Sequence, residues 1–191
     1  MELFEALRRR RMVRNYTGEP IDPDALDRIA AAALGGPSAG YSQGIAVVLV
    51  DDPEKIAEIA QICGEDSYVE RGFDPWLSSA GAHIVLCVEP DVYRQRYAEP
   101  DKSPTALEGV PWWWVDGGAA MMAILLAAVG EGLGAGVHGG RGMNQVADLL
   151  DIPHDVEVLC LITIGHPAPD RPSGSLDRGS RPGRAHRGRW N

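Results

Sequence analysis

Lysine is almost missing from this chain: of 18 basic residues only Lys55 and Lys102 are lysine, and the rest are arginine. That bias matches the codon usage of a GC-rich genome, so abundant arginine is weak evidence of arginine chemistry. Cysteine is scarce too. Cys63, Cys87 and Cys160 are odd in number and far apart, and the last two lie in apolar runs, which fits buried thiols in a reducing cytosol better than a disulfide framework. The opening MELFEALRRRR has no apolar core and is not a secretory signal. The longest uncharged apolar stretch, Ala119 to Val129, falls well short of the roughly 20 residues a membrane span needs. These absences predict a soluble, cytoplasmic protein without a membrane partner.

Several catalytic signatures are absent as well. There is no G-x-x-x-x-G-K-[ST] phosphate loop and no G-x-S-x-G elbow, so nucleotide-triphosphatase and hydrolase readings lose their usual anchors. His83, His138, His154, His166 and His186 show no ligand spacing and no neighbouring cysteine, which argues against a zinc site. Gly134-Ala135-Gly136-Val137-His138-Gly139 matches G-x-G-x-x-G by letter, but a long helical pattern precedes it where a dinucleotide fingerprint needs a strand. No internal repeat is present.

What is present begins with length and charge. A chain of 191 residues with 45% hydrophobic content buries a substantial core as one domain. Its net charge of −9 argues against general nucleic-acid binding, which depends on a dominant basic surface. The arginines nevertheless cluster at both ends: five lie within residues 8–14 and six within 171–191. At the end of a first helix over residues 2–11 such charges compensate the helix dipole, and they also offer a place for an anion.

The periodicity predicts a second helix with Asp22 as N-cap, Pro23 at its first position and Gly35-Gly36 after it. Ile45 to Val50, Ala82 to Val88 and Val156 to Ile164 read as buried strands, Asp52 to Cys63 and Asp91 to Tyr97 as helices, and 98–113 as a loop. Val115 to Leu133 is apolar on nearly every side and reads as a core helix. Gly134 to Gly142 reads as a glycine-rich turn holding His138, and Met143 to Leu150 as a short helix. Trp112-Trp113-Trp114 suits packing or the stacking of a planar ligand. Residues 169–191 are rich in Pro, Gly, Ser and Arg, cannot form a core, and are disordered or wrap something, with Trp190 as an anchor.

Taken together, Arg10-Arg11-Met12-Val13-Arg14-Asn15-Tyr16 with Pro20, the loop Pro37-Ser38-Ala39-Gly40-Tyr41-Ser42-Gln43, the Asp116-Gly117-Gly118 helix leaving through Gly132-Leu133-Gly134, and Ile164-Gly165-His166-Pro167 resemble the FMN-dependent nitroreductase family. The resemblance implies an α+β fold with a central mixed β-sheet packed by helices over residues 1–168, and a C-terminal arm, 169–191, wrapping a partner subunit in a homodimer. It implies FMN at the interface and NADH or NADPH as reductant. Hydride would pass to FMN and then, by a ping-pong scheme, to a nitroaromatic or quinone-type acceptor, with no side-chain nucleophile.

By the same resemblance Arg10 would hold the flavin phosphate with a tail arginine, Arg181 ahead of Arg178, since guanidinium forks match phosphate oxygens. Arg14 would face the pyrimidine side of the ring. Pro37, Ser38 and Gln43 would come from the other subunit, and Gly139 and Gly140 would face N5. Arg11, Met12, Ala39 and Tyr41 belong to the same cofactor-lining segments. Two positions depart from the family pattern: its Ser is Met12 and its Asn is Tyr41. Three other readings stand beside this one: a flavin or deazaflavin binding protein without turnover, a binder of nucleic acid or acidic partners through Arg8 to Arg11, and a ring-fragmenting or dehydrogenating enzyme on the same family fold.

Overall fold

A computed structural model describes residues 1–171 and 173–190. Helices α1 (Leu3–Arg9) and α2 (Pro23–Leu34) lead to strand β1 (Ile45–Val50), α3 (Pro53–Ile62), a single turn α4 (Asp66–Val69), and β2 (Ala82–Val88). Then come α5 (Pro90–Tyr97), α6 (Trp112–Gly130), β3 (Gly134–His138), α7 (Met143–Leu149) and β4 (Glu157–Gly165). The strand order is β1-β2-β4-β3. The architecture is α+β, as expected.

Capping sets two of the helix starts. The Asp22 side chain accepts the Asp24 N–H at 3.1 Å and Pro23 opens α2, while Asp52 accepts the Glu54 N–H at 2.9 Å and Pro53 opens α3. Strand β2 is buried along its whole length, so its alternate side chains feed two cores. Ile84 and Leu86 join Leu26, Ile29, Ile124 and Ala128 beneath α2 and α6. Val85 and Cys87 join Ile56, Ile59, Trp76 and Val146 on the side of α3 and α7. Burial pushes the Cys160 thiol up to about 12 and that of Cys87 to about 11, and all three cysteines are free and buried.

Five expectations are corrected. The sheet is not mixed: every strand pair is antiparallel, and parallel pairing among the described residues is confined to a bridge from Met12 to Ala135. The chain doubles back after α3, so β2 starts at the end of the sheet where β1 finishes. Strand β1 is a half-buried edge rather than a buried strand, with Val50 as its one buried residue.

The first half of the glycine-rich segment after α6 is a strand, β3, where Gly134 and Gly136 serve close approach, and only Gly139 to Gly142 form the expected turn. A Cβ at Gly136 would stand 2.4 Å from the Val13 carbonyl oxygen and one at Gly134 would stand 2.8 Å from the Val13 side chain. That contact lays residues 12–16 along β3. Helix α1 accordingly ends at Arg9, and Arg10 to Tyr16 run extended, with the Val13 N–H donating to the Ala135 carbonyl at 2.9 Å and Tyr16 bridging to Pro167.

Helix α6 is core on one side only. Asp116, Gly117, Ala120, Ile124, Leu125 and Ala128 are buried, whereas Val115 and Met122 are 48% and 36% exposed. By length and composition alone this 19-residue helix, mean hydropathy 1.5, is long and apolar enough to cross a membrane. The uncharged stretch counted from the sequence is shorter because Asp116 interrupts it, and the buried Asp116 is held inside the fold by hydrogen bonds.

Candidate flavin site in two halves

The extended segment 10–16 exists because β3 and the chain after β4 grip it from both sides. Thr17 N–H donates to His166, Ala168 N–H donates to Asn15, and the Asn15 side chain donates to the Pro169 carbonyl at 2.8 Å. This ladder delivers Asp170 into the arginine cluster. Its carboxylate, 7% exposed, accepts the Arg14 backbone N–H at 2.9 Å and pairs with the Arg11 guanidinium. Arg10, Arg11, Met12 and Arg14 then line a cavity of about 540 Å³ together with Asp170, Ser173, Ser175 and Leu176. The Arg14 guanidinium lies 5.8 Å from the ring centre of buried Trp76, a cation–π distance that orients it.

Pro37, Ser38, Tyr41 and Gln43 line a separate cavity of about 460 Å³ at the C-terminal end of α2. The two cavities share no residue. Ala39, expected among the lining residues, instead turns its N–H inward to the Asp116 carboxylate at 2.7 Å. Asp116 also accepts the Tyr93 hydroxyl at 2.8 Å, and burial, with that carboxylate second, pushes the Tyr93 pKa up.

Gly139 and Gly140 are exposed just past β3 and line neither cavity. His138 shapes their turn. Its Nε2 lies 3.0 Å from the Arg141 carbonyl, which only accepts, so Nε2 donates there and in a neutral ring Nδ1 accepts the Tyr68 hydroxyl at 3.2 Å. Arg178 ends a short turn, Gly174–Arg178, and neither it nor Arg181 lines the arginine cavity. The expected meeting of Arg10 with Arg181 is therefore not made within one chain.

Asp170, Asp116 as a loop partner, and Tyr93 were missed by sequence reasoning. Asp170 had one faint signal, being a carboxylate at the junction between the last strand and an arginine-rich tail. Asp116 and Tyr93 had none, because the contact joins residues 77 and 23 positions apart in the chain.

Residues 7–166 match the model of the nitroreductase family. The chain belongs to the nitroreductase family. Among its relatives in that family are an NADPH-flavin oxidoreductase of Vibrio harveyi, 33% identical over 86% of this chain, and an FMN reductase [NAD(P)H] of Bacillus subtilis (strain 168), 31% identical over 87%. The chain spans about two thirds of their length, 65% and 66% respectively. The solved structure of B. megaterium NfrA1 superposes on 99% of this chain, and 75% of its own, with a TM-score of 0.76 at 25% identity. The family match ends at residue 166, so Asp170 and the arginine-rich tail lie beyond it.

Proposed function

We propose that the chain is a flavin-dependent oxidoreductase that takes hydride from NADH or NADPH and delivers it, in a ping-pong scheme, to an electron-poor acceptor of the nitroaromatic or quinone type. The names of the two relatives, an NADPH-flavin oxidoreductase and an FMN reductase, support the cofactor and the reductant. The single observation that carries the site is the donor set around the larger cavity, three arginines and Met12 with the neighbouring Arg14 N–H already accepted by a carboxylate. That set fits an anionic, partly apolar group such as FMN.

FMN, when bound, supplies the hydride-accepting position and hands the electrons on. The chain supplies placement and charge. Arg10 pairs with no carboxylate among the described residues and is the guanidinium available to the phosphate. Arg14, held over Trp76, brings a positive charge toward the pyrimidine side and favours the reduced, anionic ring. By the family resemblance Gly139 and Gly140, exposed just past β3, would leave the reacting edge free of side chains, and protons come from solvent.

A homodimer follows from the same reading, because the two half-sites lie on separate cavities of one chain. Its support is an apolar face left open on α1 and α6: Phe4 is 74% exposed and Leu3 61%, beside Val115 and Met122. Val115, Ala119, Met122, Leu126 and Val129 recur at spacings of four and three, the seam by which helices pack. The 169–191 arm would then reach the partner and bring Arg181 or Arg178 to its phosphate.

The visible spectrum of the purified protein tests this reading. A yellow protein that releases FMN on denaturation and bleaches under anaerobic NADPH or NADH is the expected result. A colourless protein that takes up no added FMN overturns it, and a yellow one that never bleaches points to a flavin carrier.

A further inference from the structure

The loop Pro37 to Gln43 holds two non-glycine residues in the left-handed region, Tyr41 at φ 56° and Gln43 at φ 57°. L-residues avoid that region, and such conformations persist where surrounding contacts over-determine them. Here the contacts from the rest of the chain come from beneath the loop. Asp116 and Tyr93, 4% and 0% exposed, clamp the Ala39 N–H through one carboxylate oxygen. Arg96 Nε donates to the Gly40 carbonyl at 2.9 Å and is itself locked by a two-pronged pair with Asp101.

Gly40 packs so closely on Tyr97 that a Cβ there would stand 2.8 Å from the ring. Within the loop Ser38 Oγ accepts the Gln43 N–H and Ser42 Oγ donates to the Ala39 carbonyl, each at 2.7 Å. The outer side is free, with Tyr41 76% exposed. The loop is therefore a rigid, outward-facing surface braced by α5 and α6.

We infer that Asp116 and Tyr93 are positioning residues for flavin binding, acting through Ala39 to keep the 37–43 loop in the shape that presents Ser38 and Gln43 to the cofactor. This rests on reading that loop as one half of the FMN site. Neither side chain touches the cofactor. Their effect is preorganisation: a loop already in its binding shape loses less freedom when the ligand arrives.

The test measures FMN dissociation constants by flavin fluorescence, and amide hydrogen exchange of residues 37–43 in the flavin-free protein, for the unaltered chain, Tyr93→Phe, Asp116→Asn, Asp116→Ala and a core control on the same helix, Ile124→Val. Tyr93→Phe is expected to weaken FMN about tenfold and Asp116→Ala about a hundredfold, the range for losing hydrogen bonds to a charged group. Asp116→Asn should fall between, because its amide oxygen still accepts the Ala39 N–H. Loop exchange should quicken in the same order.

Ile124→Val should bind FMN and exchange in the loop as the unaltered chain does, although it is less stable. Folded Tyr93→Phe protein with unaltered FMN affinity and loop exchange overturns the inference. So does an Ile124→Val loss as large as that of Tyr93→Phe, which would assign the effect to general stability. If the unaltered chain binds no FMN, the reading of the loop as a flavin half-site fails, and loop exchange alone then decides whether the brace exists.

Discussion

The Asp170 carboxylate accepts the backbone N–H of Arg14 at 2.9 Å, and its other oxygen meets the Arg11 guanidinium. One of three clustered arginines is therefore neutralised from within the chain, and the start of the tail is tied to the cavity rim. Arg11 is half exposed, so screening limits what the ion pair itself contributes. We expect Asp170→Ala to cost about 1 kcal/mol, mostly through the lost backbone hydrogen bond, and to lower the melting temperature by roughly 2–4 °C. Limited proteolysis should cut the tail of that variant sooner. An unchanged melting temperature and cleavage rate would contradict the tie.

Arg10 and Arg11 should separate cleanly in an FMN titration. Arg10→Ala is expected to weaken FMN by roughly ten- to a hundredfold, with partial recovery in Arg10→Lys, whose point charge does not reproduce the guanidinium fork. Arg11→Ala should have the smaller effect, since Asp170 already occupies that side chain. The reverse order would mean that the two arginines have been assigned to the wrong partners.

Gly136→Ala is the most disruptive single methyl we can name. Its Cβ would meet the Val13 carbonyl at 2.4 Å, the Thr163 hydroxyl at 2.9 Å and Trp76 at 3.1 Å, and the nearest of these is backbone that cannot rotate away. Overpacking of that kind costs about 3 kcal/mol or more. The same push displaces Met12 to Arg14 from β3, so urea unfolding and FMN affinity should fall together.

His83 makes stability depend on pH. Burial lowers its pKa from 6.5 to about 4, its Nε2 lies 2.9 Å from the Leu77 carbonyl, and its Nδ1 is buried with no partner among the described residues. Between those two values the unfolded chain takes up a proton that the folded chain refuses. The stabilisation is therefore complete above pH 6.5, declines as pH falls, and is gone below about 4, with a loss of about 2 kcal/mol by pH 5. Urea midpoints at pH 7 and pH 5 should show that loss, and His83→Gln should remove this part of the pH dependence.

Tyr41 stands exposed in a left-handed conformation that a glycine adopts freely. Tyr41→Gly should raise stability by roughly 0.5–1 kcal/mol, the relieved strain exceeding the added backbone entropy of the unfolded chain. If FMN affinity also survives, the ring is dispensable to the cofactor and the departure from the family pattern at this position concerns the acceptor instead.

The elements that could be read from the sequence are those whose signal is local. Asp22-Pro23 opens α2, Asp52-Pro53 opens α3, and the β-branched run Ala82 to Val88 is a strand buried on both faces. Gly134 to His138 was illegible for a physical reason. Glycine spacing looks the same whether a chain turns or whether another backbone presses against it, and only the Val13 contact distinguishes the two. Helix α6 is ambiguous in sequence for a related reason, because apolar residues all round a helix describe equally one buried on every side and one buried on a single face.

By itself the sequence pointed to the family, the starts of α2 and α3 and the two arginine-rich ends, because each is written in neighbouring residues. Tertiary structure alone decided that Asp170 enters the arginine cluster, that Asp116 and Tyr93 hold the 37–43 loop, and that the cavity beside that loop and the arginine-lined cavity are separate in one chain. Those contacts join residues far apart along the chain. Their energies depend on burial and on hydrogen-bond geometry, which no local pattern encodes.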